Sequence, residues 1–169
     1  HLAVLGREAA TTVDLVVLGE ELGRVIAPVP FISTAVLGAL LVREAGTEAQ
    51  KDALLPAIAN GSLLLAYAQT EPEYSWGPEG VQLRAVASGD GWTLSGVKLF
   101  VHDAEAADKL LVLARTGEGS GAEGLTLFLV DRTAAGVSVR QVSGWHGERQ
   151  FEVRLDGVTS RQQALEMIA

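Results

Sequence analysis

The sequence changes character at about Ser62. Before this residue, apolar side chains recur at the spacing of helical turns. After it, short runs rich in Val, Leu, Thr and Phe are interrupted by clusters of glycine and small polar residues at 88–91, 116–121 and 131–136. Turn clusters at such short intervals are typical of antiparallel strands. The sequence therefore predicts an α+β protein in which N-terminal helices pack on an antiparallel β-barrel or sandwich of about seven strands.

The first sixty residues predict three helices. Apolar side chains at steps of three and four residues indicate an amphipathic helix over 11–27, which is followed by two prolines. The stretch 31–44 is apolar around nearly its whole circumference, so we expect a buried helix there. Thr47 and Gln50 have the spacing of a capping box and predict the start of a third helix that ends near Ala59.

The remainder of the chain predicts the strands and the division into domains. The predicted strands are at about 64–70, 82–88, 92–102, 109–115, 125–130, 137–142 and 150–155. Residues 161–169 again have the composition of a helix. We therefore divide the chain into an N-terminal helical part over 1–61, a middle β-barrel domain over 62–159 and the start of a helical segment over 160–169.

Charge and composition exclude several classes of function. The 169 residues carry a formal net charge of -8 and no cluster of lysine and arginine, so we expect no nucleic-acid partner and no membrane partner. The longest apolar stretch, 31–42, is shorter than the roughly 20 residues that a membrane-spanning helix needs. The sequence has no cysteine, which fits a reducing compartment, and we predict a cytoplasmic location.

The sequence contains no motif for a metal or for a phosphate loop. Its three histidines lack the paired spacing of metal ligands, so we predict no metal site. The glycine-rich stretch 117–121 is not followed by the helix whose N-terminus would bind a phosphate, and it contains a glutamate. We interpret it as a turn.

Three blocks of sequence carry a resemblance to a known family. They are residues 65–72 (LAYAQTEP), 91–101 (GWTLSGVKLFV) and 107–116 (ADKLLVLART). In order and spacing they resemble the start of the middle β-domain of the acyl-CoA dehydrogenases, which are flavoenzymes that remove two hydrogens from the α and β carbons of an acyl-CoA thioester. The resemblance extends upstream through 19–24 and 54–56 and downstream to about Val158.

The resemblance implies a cofactor, partners and a missing part. It implies FAD as cofactor, an acyl-CoA substrate, an electron-transferring flavoprotein as electron acceptor, and a homo- or hetero-oligomer. Members of the family carry a C-terminal helical domain after the β-domain, and the match leaves this domain largely or wholly out. Since the catalytic base of the family is a glutamate of that domain, we predict no catalytic residue in this chain. Glu166 has no motif around it.

The resemblance also assigns cofactor-binding residues. Tyr67, Gln69 and Thr70 match positions that line the flavin, with the threonine at the pyrimidine edge of the ring. Phe100 matches an aromatic residue that stacks beside the flavin, and His102 stands where the family has a hydroxyl. Because side chains two residues apart on a strand point to the same side, we expect Phe100 and His102 to face the ring together.

The chain departs from the family directly after the first block. The family has a glycine-rich bend of small residues here that approaches the cofactor diphosphate. In this chain bulky Tyr74 and Trp76 replace small residues, and Glu73 would bring a negative charge to a negative ligand. A second interpretation is therefore a non-catalytic partner subunit of a heteromeric acyl-CoA dehydrogenase, including one acting on steroid side-chain CoA esters. A third is an acyl- or lipid-binding barrel without redox chemistry.

Overall fold

The computed structural model describes residues 12–73, 75–144, 149–160 and 164–166. Its helical segments are α1 (Thr12–Arg24), a π-helical segment (Phe31–Gly38), α2 (Ala39–Ala45) and α3 (Glu48–Ala59). The strands are β1 (Leu65–Ala68), β2 (Ala85–Ser88), β3 (Gly91–His102), β4 (Lys109–Arg115), β5 (Leu125–Asp131), β6 (Val137–Val142), β7 (Gln150–Ser160) and β8 (Ala164–Glu166). The predicted α+β class is confirmed, and each of the seven predicted strands coincides with an observed one.

Within the described residues, the strands form two four-stranded sheets. Their strand orders are β1-β4-β5-β8 and β2-β3-β7-β6. The pairing of β1 with β4 is parallel, and the other pairings are antiparallel. A parallel pair needs a long connection, which the forty residues between β1 and β4 provide. The two sheets do not close into a barrel, so the sandwich is the correct form of the prediction.

Two clusters of buried apolar side chains join the layers. The first lies between the sheets, where Phe128 of β5 belongs to the same cluster as Val153 of β7. The second lies between the helices and the outer face of the β1–β4–β5 sheet, where Val42 of α2 belongs to the same cluster as Leu111 of β4. Because both faces of β4 are covered, its residues 110–114 form a continuous buried apolar run.

The predicted buried helix over 31–44 is only partly correct. The backbone is π-helical over Phe31–Gly38 and α-helical from Ala39 to Ala45. One side of this stretch is buried, but Ile32 is 60% exposed and Leu37 is 40% exposed. A helix that is apolar around its whole circumference favours burial on all sides. The sequence pattern does not show whether the burying residues come from the same chain.

The other two helices follow the sequence patterns closely. α1 lies within the predicted range 11–27. The capping box at the start of α3 is confirmed, since the Gln50 N–H donates to Thr47 Oγ1 over 3.3 Å and the Thr47 N–H donates to Gln50 Oε1 over 2.9 Å. None of the helices in the described ranges has the length and apolar character needed to cross a membrane.

The predicted helical segment over 160–169 is wrong where the structure describes it. β7 continues to Ser160, and residues 164–166 form β8, which pairs antiparallel with β5. Residues 161–163 and 167–169 lie outside the described residues. Without β8, one side of β5 would present unpaired backbone donors and acceptors, and pairing with an edge of this kind outweighs a weak local preference for helix.

Candidate functional site

The end of β1 and the second half of β3 lie side by side. The Leu99 N–H donates to the Thr70 carbonyl oxygen over 2.8 Å, and Lys98 Nζ donates to the Gln69 carbonyl oxygen over 3.0 Å. Two consecutive residues of β3 therefore hold two consecutive residues that follow β1. The segments that contain Gln69, Thr70 and Phe100 are neighbours, although they are about thirty residues apart in sequence.

Phe100 lies in a β-bulge and has a left-handed backbone. The register of β3 against β7 shifts between Lys98 and Val101, and Phe100 has a φ of 54°. Val101 is buried, whereas Phe100 is 36% exposed and His102 is exposed. A bulge re-aims a side chain, and a non-glycine residue at positive φ persists only where its surroundings hold it. Such local strain is concentrated at functional sites.

Tyr67 lies on the helix-facing side of the β1–β4–β5 sheet. It is half-buried and packs against the cluster that contains Leu65, whereas Ala66 and Ala68 belong to the cluster between the sheets. Burial raises the pKa of the Tyr67 phenol to about 12, so this group stays neutral at physiological pH.

Three polar side chains near the end of β1 are available to a ligand. Among the described residues, the Tyr67 hydroxyl, the Gln69 amide and the Thr70 hydroxyl have no hydrogen-bond partner. All three residues are half-buried. No fully buried side-chain polar atom of the described part lacks a partner, so each of these unpartnered groups keeps some exposure to solvent, although the Tyr67 phenol is largely buried. They suit the polar rim of an isoalloxazine ring, whose pyrimidine edge needs hydrogen-bond partners.

His102 is engaged with the neighbouring strand. Its Nε2 lies 3.2 Å from Gln150 Nε2, and the two residues are opposite each other in the β3–β7 pairing. The side chain is exposed. His102 is therefore held at the end of β3, two residues beyond Phe100, by a contact within the same sheet.

The segment after β1 does not fit a diphosphate. Glu73 is exposed, and Trp76 is 85% exposed. The Ser75 hydroxyl donates to Glu79 Oε1 over 2.6 Å, and this hydrogen bond lowers the pKa of the Glu79 carboxyl. The segment thus has two carboxylates and a serine hydroxyl that is already engaged, which is the wrong chemistry for a doubly negative ligand. Tyr74 lies outside the described residues.

A buried arginine near this segment is also engaged. Arg115 is only 3% exposed, and its guanidinium donates to the carbonyl oxygens of Pro78 (2.8 Å) and Val81 (3.2 Å). It also donates to the carbonyl oxygens of Gly121 (3.1 Å) and Glu123 (3.3 Å). Arg115 therefore ties two loops together and is not free to bind a phosphate.

Sequence reasoning did not identify an ion pair that lies beside the predicted flavin residues. Lys98 Nζ is 2.6 Å from Glu71 Oε1, and the two side chains are 0% and 5% exposed. Burial lowers the pKa of the Lys98 ammonium, and the contact with Glu71 opposes that shift. The signal in the sequence was a lysine inside an apolar strand, because such a lysine needs a partner when it is buried.

Comparison with known proteins gives the same family for both halves of the chain. The model of the acyl-CoA dehydrogenase middle domain matches residues 66–158, and the model of the acyl-CoA dehydrogenase N-terminal domain matches residues 4–62. A short-chain specific acyl-CoA dehydrogenase of Clostridium acetobutylicum is 29% identical over 156 residues, which are 91% of this chain and 40% of the relative.

Solved structures of this family share the fold. A chain of the ChsE4-ChsE5 complex from Mycobacterium tuberculosis has a TM-score of 0.85 at 26% identity, and the match covers 98% of this chain and 45% of that chain. A glutaryl-CoA dehydrogenase from Mycobacterium smegmatis in complex with FADH2 has a TM-score of 0.71 at 26% identity, over 80% of this chain and 35% of that chain.

These matches span less than half the length of each of the three proteins. They leave out the C-terminal domain of the relatives. The three sequence blocks, the two matched domain models and the shared fold agree, and the chain belongs to the acyl-CoA dehydrogenase family of flavoprotein oxidoreductases.

Proposed function

We propose that this chain provides the isoalloxazine-binding part of an FAD-dependent acyl-CoA dehydrogenase. The observation that carries the proposal is the adjacency of the Gln69–Thr70 backbone to Lys98 and Leu99, through bonds of 3.0 and 2.8 Å. This adjacency supports a common rim in which open polar groups stand on one side and the exposed ring of Phe100 stands on the other.

The proposed reaction is α,β-dehydrogenation of an acyl-CoA thioester. The α carbon loses a proton to a carboxylate base, the β hydrogen leaves with its electron pair, and a double bond forms between the two carbons. Bound FAD supplies the acceptor for that hydride. In this chain, Thr70 and Gln69 would donate or accept hydrogen bonds at the pyrimidine edge, and Phe100 would cover the ring and exclude water. His102 would lie at the rim beyond Phe100.

The base and the diphosphate contacts belong outside the described residues in this proposal. The side chain of Glu166 is not described, and we assign no base to it. The segment around Glu73 and Trp76 does not fit the diphosphate, so donors for that part of FAD must come from elsewhere. In this proposal, a helical domain like that of the family would supply both the base and the diphosphate donors.

A second candidate function is a non-catalytic subunit of a heteromeric acyl-CoA dehydrogenase. The observations that favour it are the two carboxylates of the 73–79 segment and the engagement of Arg115 by loop carbonyls. Similarity to a chain of the ChsE4-ChsE5 complex also supports an assembly of unlike subunits. We keep steroid side-chain CoA esters as one substrate class of such an assembly.

An acyl- or lipid-binding barrel is the least supported function. The space between the sheets is occupied by packed apolar side chains of both sheets, including Phe128, Phe151 and Leu94. This favours a ligand at the edge of the sandwich rather than within it.

We also keep an electron-transferring flavoprotein as acceptor, a homo- or hetero-oligomer, a cytoplasmic location, and domain limits at residues 61 and 159 as parts of the proposal.

Two substitutions at the rim test the proposed function. We expect Thr70→Val to weaken FAD binding about threefold to tenfold, because it removes one hydrogen bond to the cofactor. We expect a similar loss for Phe100→Ala, because it removes an aromatic contact. Fluorescence titration of the chain with FAD, alone and together with a family member that carries the helical domain, measures both effects.

Two matched substitutions serve as controls. Thr93→Val changes a half-buried threonine in the first half of β3, and Val86→Ala shortens an exposed side chain on β2. Neither should change the affinity. If all four variants bind FAD like the unchanged chain, Thr70 and Phe100 do not line the flavin.

A further inference from the structure

We propose that the buried Glu71–Lys98 pair is a positioning clasp that holds the two sides of the flavin rim at a fixed separation. This inference rests on the proposed function, and it assigns a role to two residues that do not themselves touch the cofactor. The clasp is defined as these two side chains and the backbone groups that they bind.

The first observation is that the clasp joins three separate segments. Lys98 Nζ donates to Glu71 Oε1 over 2.6 Å and to the Gln69 carbonyl oxygen over 3.0 Å. Glu71 Oε2 accepts from the Gln82 N–H over 3.0 Å, and both carboxylate oxygens accept from the Leu83 N–H over 3.1 Å. The end of the β1 segment, the approach to β2 and the middle of β3 are therefore fixed to one another by two side chains.

The second observation is the position of the clasp between the proposed flavin residues. Glu71 directly follows Thr70, and Lys98 lies two residues before Phe100. The left-handed backbone of Phe100 has buried Lys98 on one side and buried Val101 on the other. Because that conformation is disfavoured for a residue with a side chain, it needs anchors on both sides. Lys98 is the anchor that also reaches the β1 side of the rim.

Stability alone is a weak explanation for such a pair. Removing two charges from water costs free energy that their attraction offsets only in good geometry, and apolar side chains of similar size often serve a core equally well. The directional bonds to two backbone segments, the Gln69 carbonyl oxygen after β1 and the Gln82 and Leu83 N–H groups before β2, distinguish this pair from a generic core contact. The Lys98 bond fixes where the Gln69 carbonyl lies relative to β3, next to the Thr70 carbonyl that the Leu99 N–H binds.

The test compares Glu71→Gln/Lys98→Met with Lys109→Met. The double variant leaves no unpaired buried charge and removes the bond to the Gln69 carbonyl oxygen. The control removes an ion pair with Asp131 in the other sheet. Glu71→Gln alone keeps the bond from Lys98 to the Gln69 carbonyl oxygen, so it should lose less FAD affinity than the double variant, although it leaves the Lys98 charge unpaired and lowers stability. Circular dichroism and thermal unfolding establish that each variant is folded.

Two readouts follow in the folded proteins. We expect the exchange rate of the Leu99 amide to rise at least tenfold in the double variant, relative to the Asp156 amide, which bonds to the Gly136 carbonyl oxygen over 2.9 Å elsewhere in the fold. We also expect FAD affinity to fall about tenfold, together with a changed flavin spectrum and reduction potential. A purely structural pair would lower thermal stability and leave the spectrum and potential of the bound flavin equal to those of the control.

The outcomes separate the clasp from the proposed function. If the double variant is folded and matches Lys109→Met in Leu99 exchange, FAD affinity and spectrum, the clasp is refuted and the proposed function remains. If the unchanged chain binds no flavin, alone or with a helical-domain partner, the proposed function fails and with it the cofactor role of the clasp. If the Leu99 amide of the double variant still exchanges faster in that case, the Glu71–Lys98 pair stabilises the local structure and has no role in cofactor binding.

Discussion

At the scale of single residues, Phe100 is the strongest local indication of a functional site. The residue is 36% exposed, its backbone is left-handed, and the bulge around it interrupts the pairing of β3 with β7. The resemblance to the family predicted an aromatic contact here. The bulge itself could not be predicted, because it depends on the register of β7, which lies fifty residues further along the chain.

We predict that Phe100→Gly is more stable than Phe100→Ala by about 1 kcal/mol, because glycine adopts positive φ without steric cost. Both variants lack the ring, so their difference isolates the backbone. Urea unfolding measures it. At Val97 of β3, whose φ is not positive, the order should reverse, with alanine more stable than glycine. Equal stabilities of the two Phe100 variants would contradict a strained backbone.

Tyr67 should make the stability of the protein depend on pH in the alkaline range. Its pKa is raised by burial from 10.0 to about 12 in the folded state. Its contribution is therefore complete below pH 10 and is lost as the pH rises from 10 to 12, where the unfolded chain gives up the proton first. A shift from 10 to about 12 corresponds to about 3 kcal/mol.

Phenolate absorbance of Tyr74→Phe, which leaves Tyr67 as the single tyrosine of the sequence, reports this titration directly. In Tyr67→Phe the alkaline loss of stability should be correspondingly smaller. A Tyr67 titration midpoint near pH 10 in the folded protein would show that the phenol is not shielded by burial.

The Glu71–Lys98 pair marks the limit of residue-level prediction. The two residues are 27 positions apart, and no local pattern connects them. Glu71 lies in the sequence block 65–72 and Lys98 in the block 91–101, and neither block indicates that the two side chains touch. Their contact is part of the tertiary structure, because it forms only when the end of β1 lies beside β3.

At the scale of elements, strands were predictable and their special features were not. Turn clusters rich in glycine separate the strands, so the positions of β4, β5 and β6 follow closely from the sequence. β8 was predicted as helix, because three residues are too few to show the alternation of a strand, and the composition of 161–169 favours a helix. The π-helical start of the 31–45 stretch was also missed, since its backbone pattern depends on packing against β1.

Thr34 links the π-helical segment to β1. Its hydroxyl donates to the Leu65 carbonyl oxygen over 2.9 Å and accepts from the Leu65 N–H over 3.0 Å, in a buried environment. β1 is an edge strand of its sheet, so the threonine satisfies backbone groups that no strand satisfies. The strand that leads to Tyr67 is thereby held from its open side.

We predict that Thr34→Val lowers the free energy of unfolding by about 2–3 kcal/mol, because it leaves the buried N–H and carbonyl of Leu65 without partners. Thr34→Ser retains the hydroxyl and should lose clearly less. Chemical denaturation of both variants, with Thr93→Val as a control in β3, provides the measurement. If Thr34→Val is as stable as Thr93→Val, the hydroxyl does not support β1.

At the scale of the whole molecule, the layered core was predictable and the open surfaces were not. Binary patterning indicated helices on a sheet structure, but strand number alone does not distinguish a closed barrel from the observed sandwich. α1 contains no buried residue among those whose burial is described, and Val13, Val16 and Val17 are more than half exposed on it. The match spans less than half the length of the relatives named above.

The most direct test of the central claim is the visible absorption spectrum of the purified chain after addition and removal of excess FAD. The spectrum is recorded for the chain alone and for the chain co-purified with an acyl-CoA dehydrogenase subunit that carries the helical domain. The proposed rim of Tyr67, Gln69, Thr70, Phe100 and His102 predicts retained flavin, at about one per chain or one per two chains of a mixed complex. Colourless protein in both preparations would contradict it.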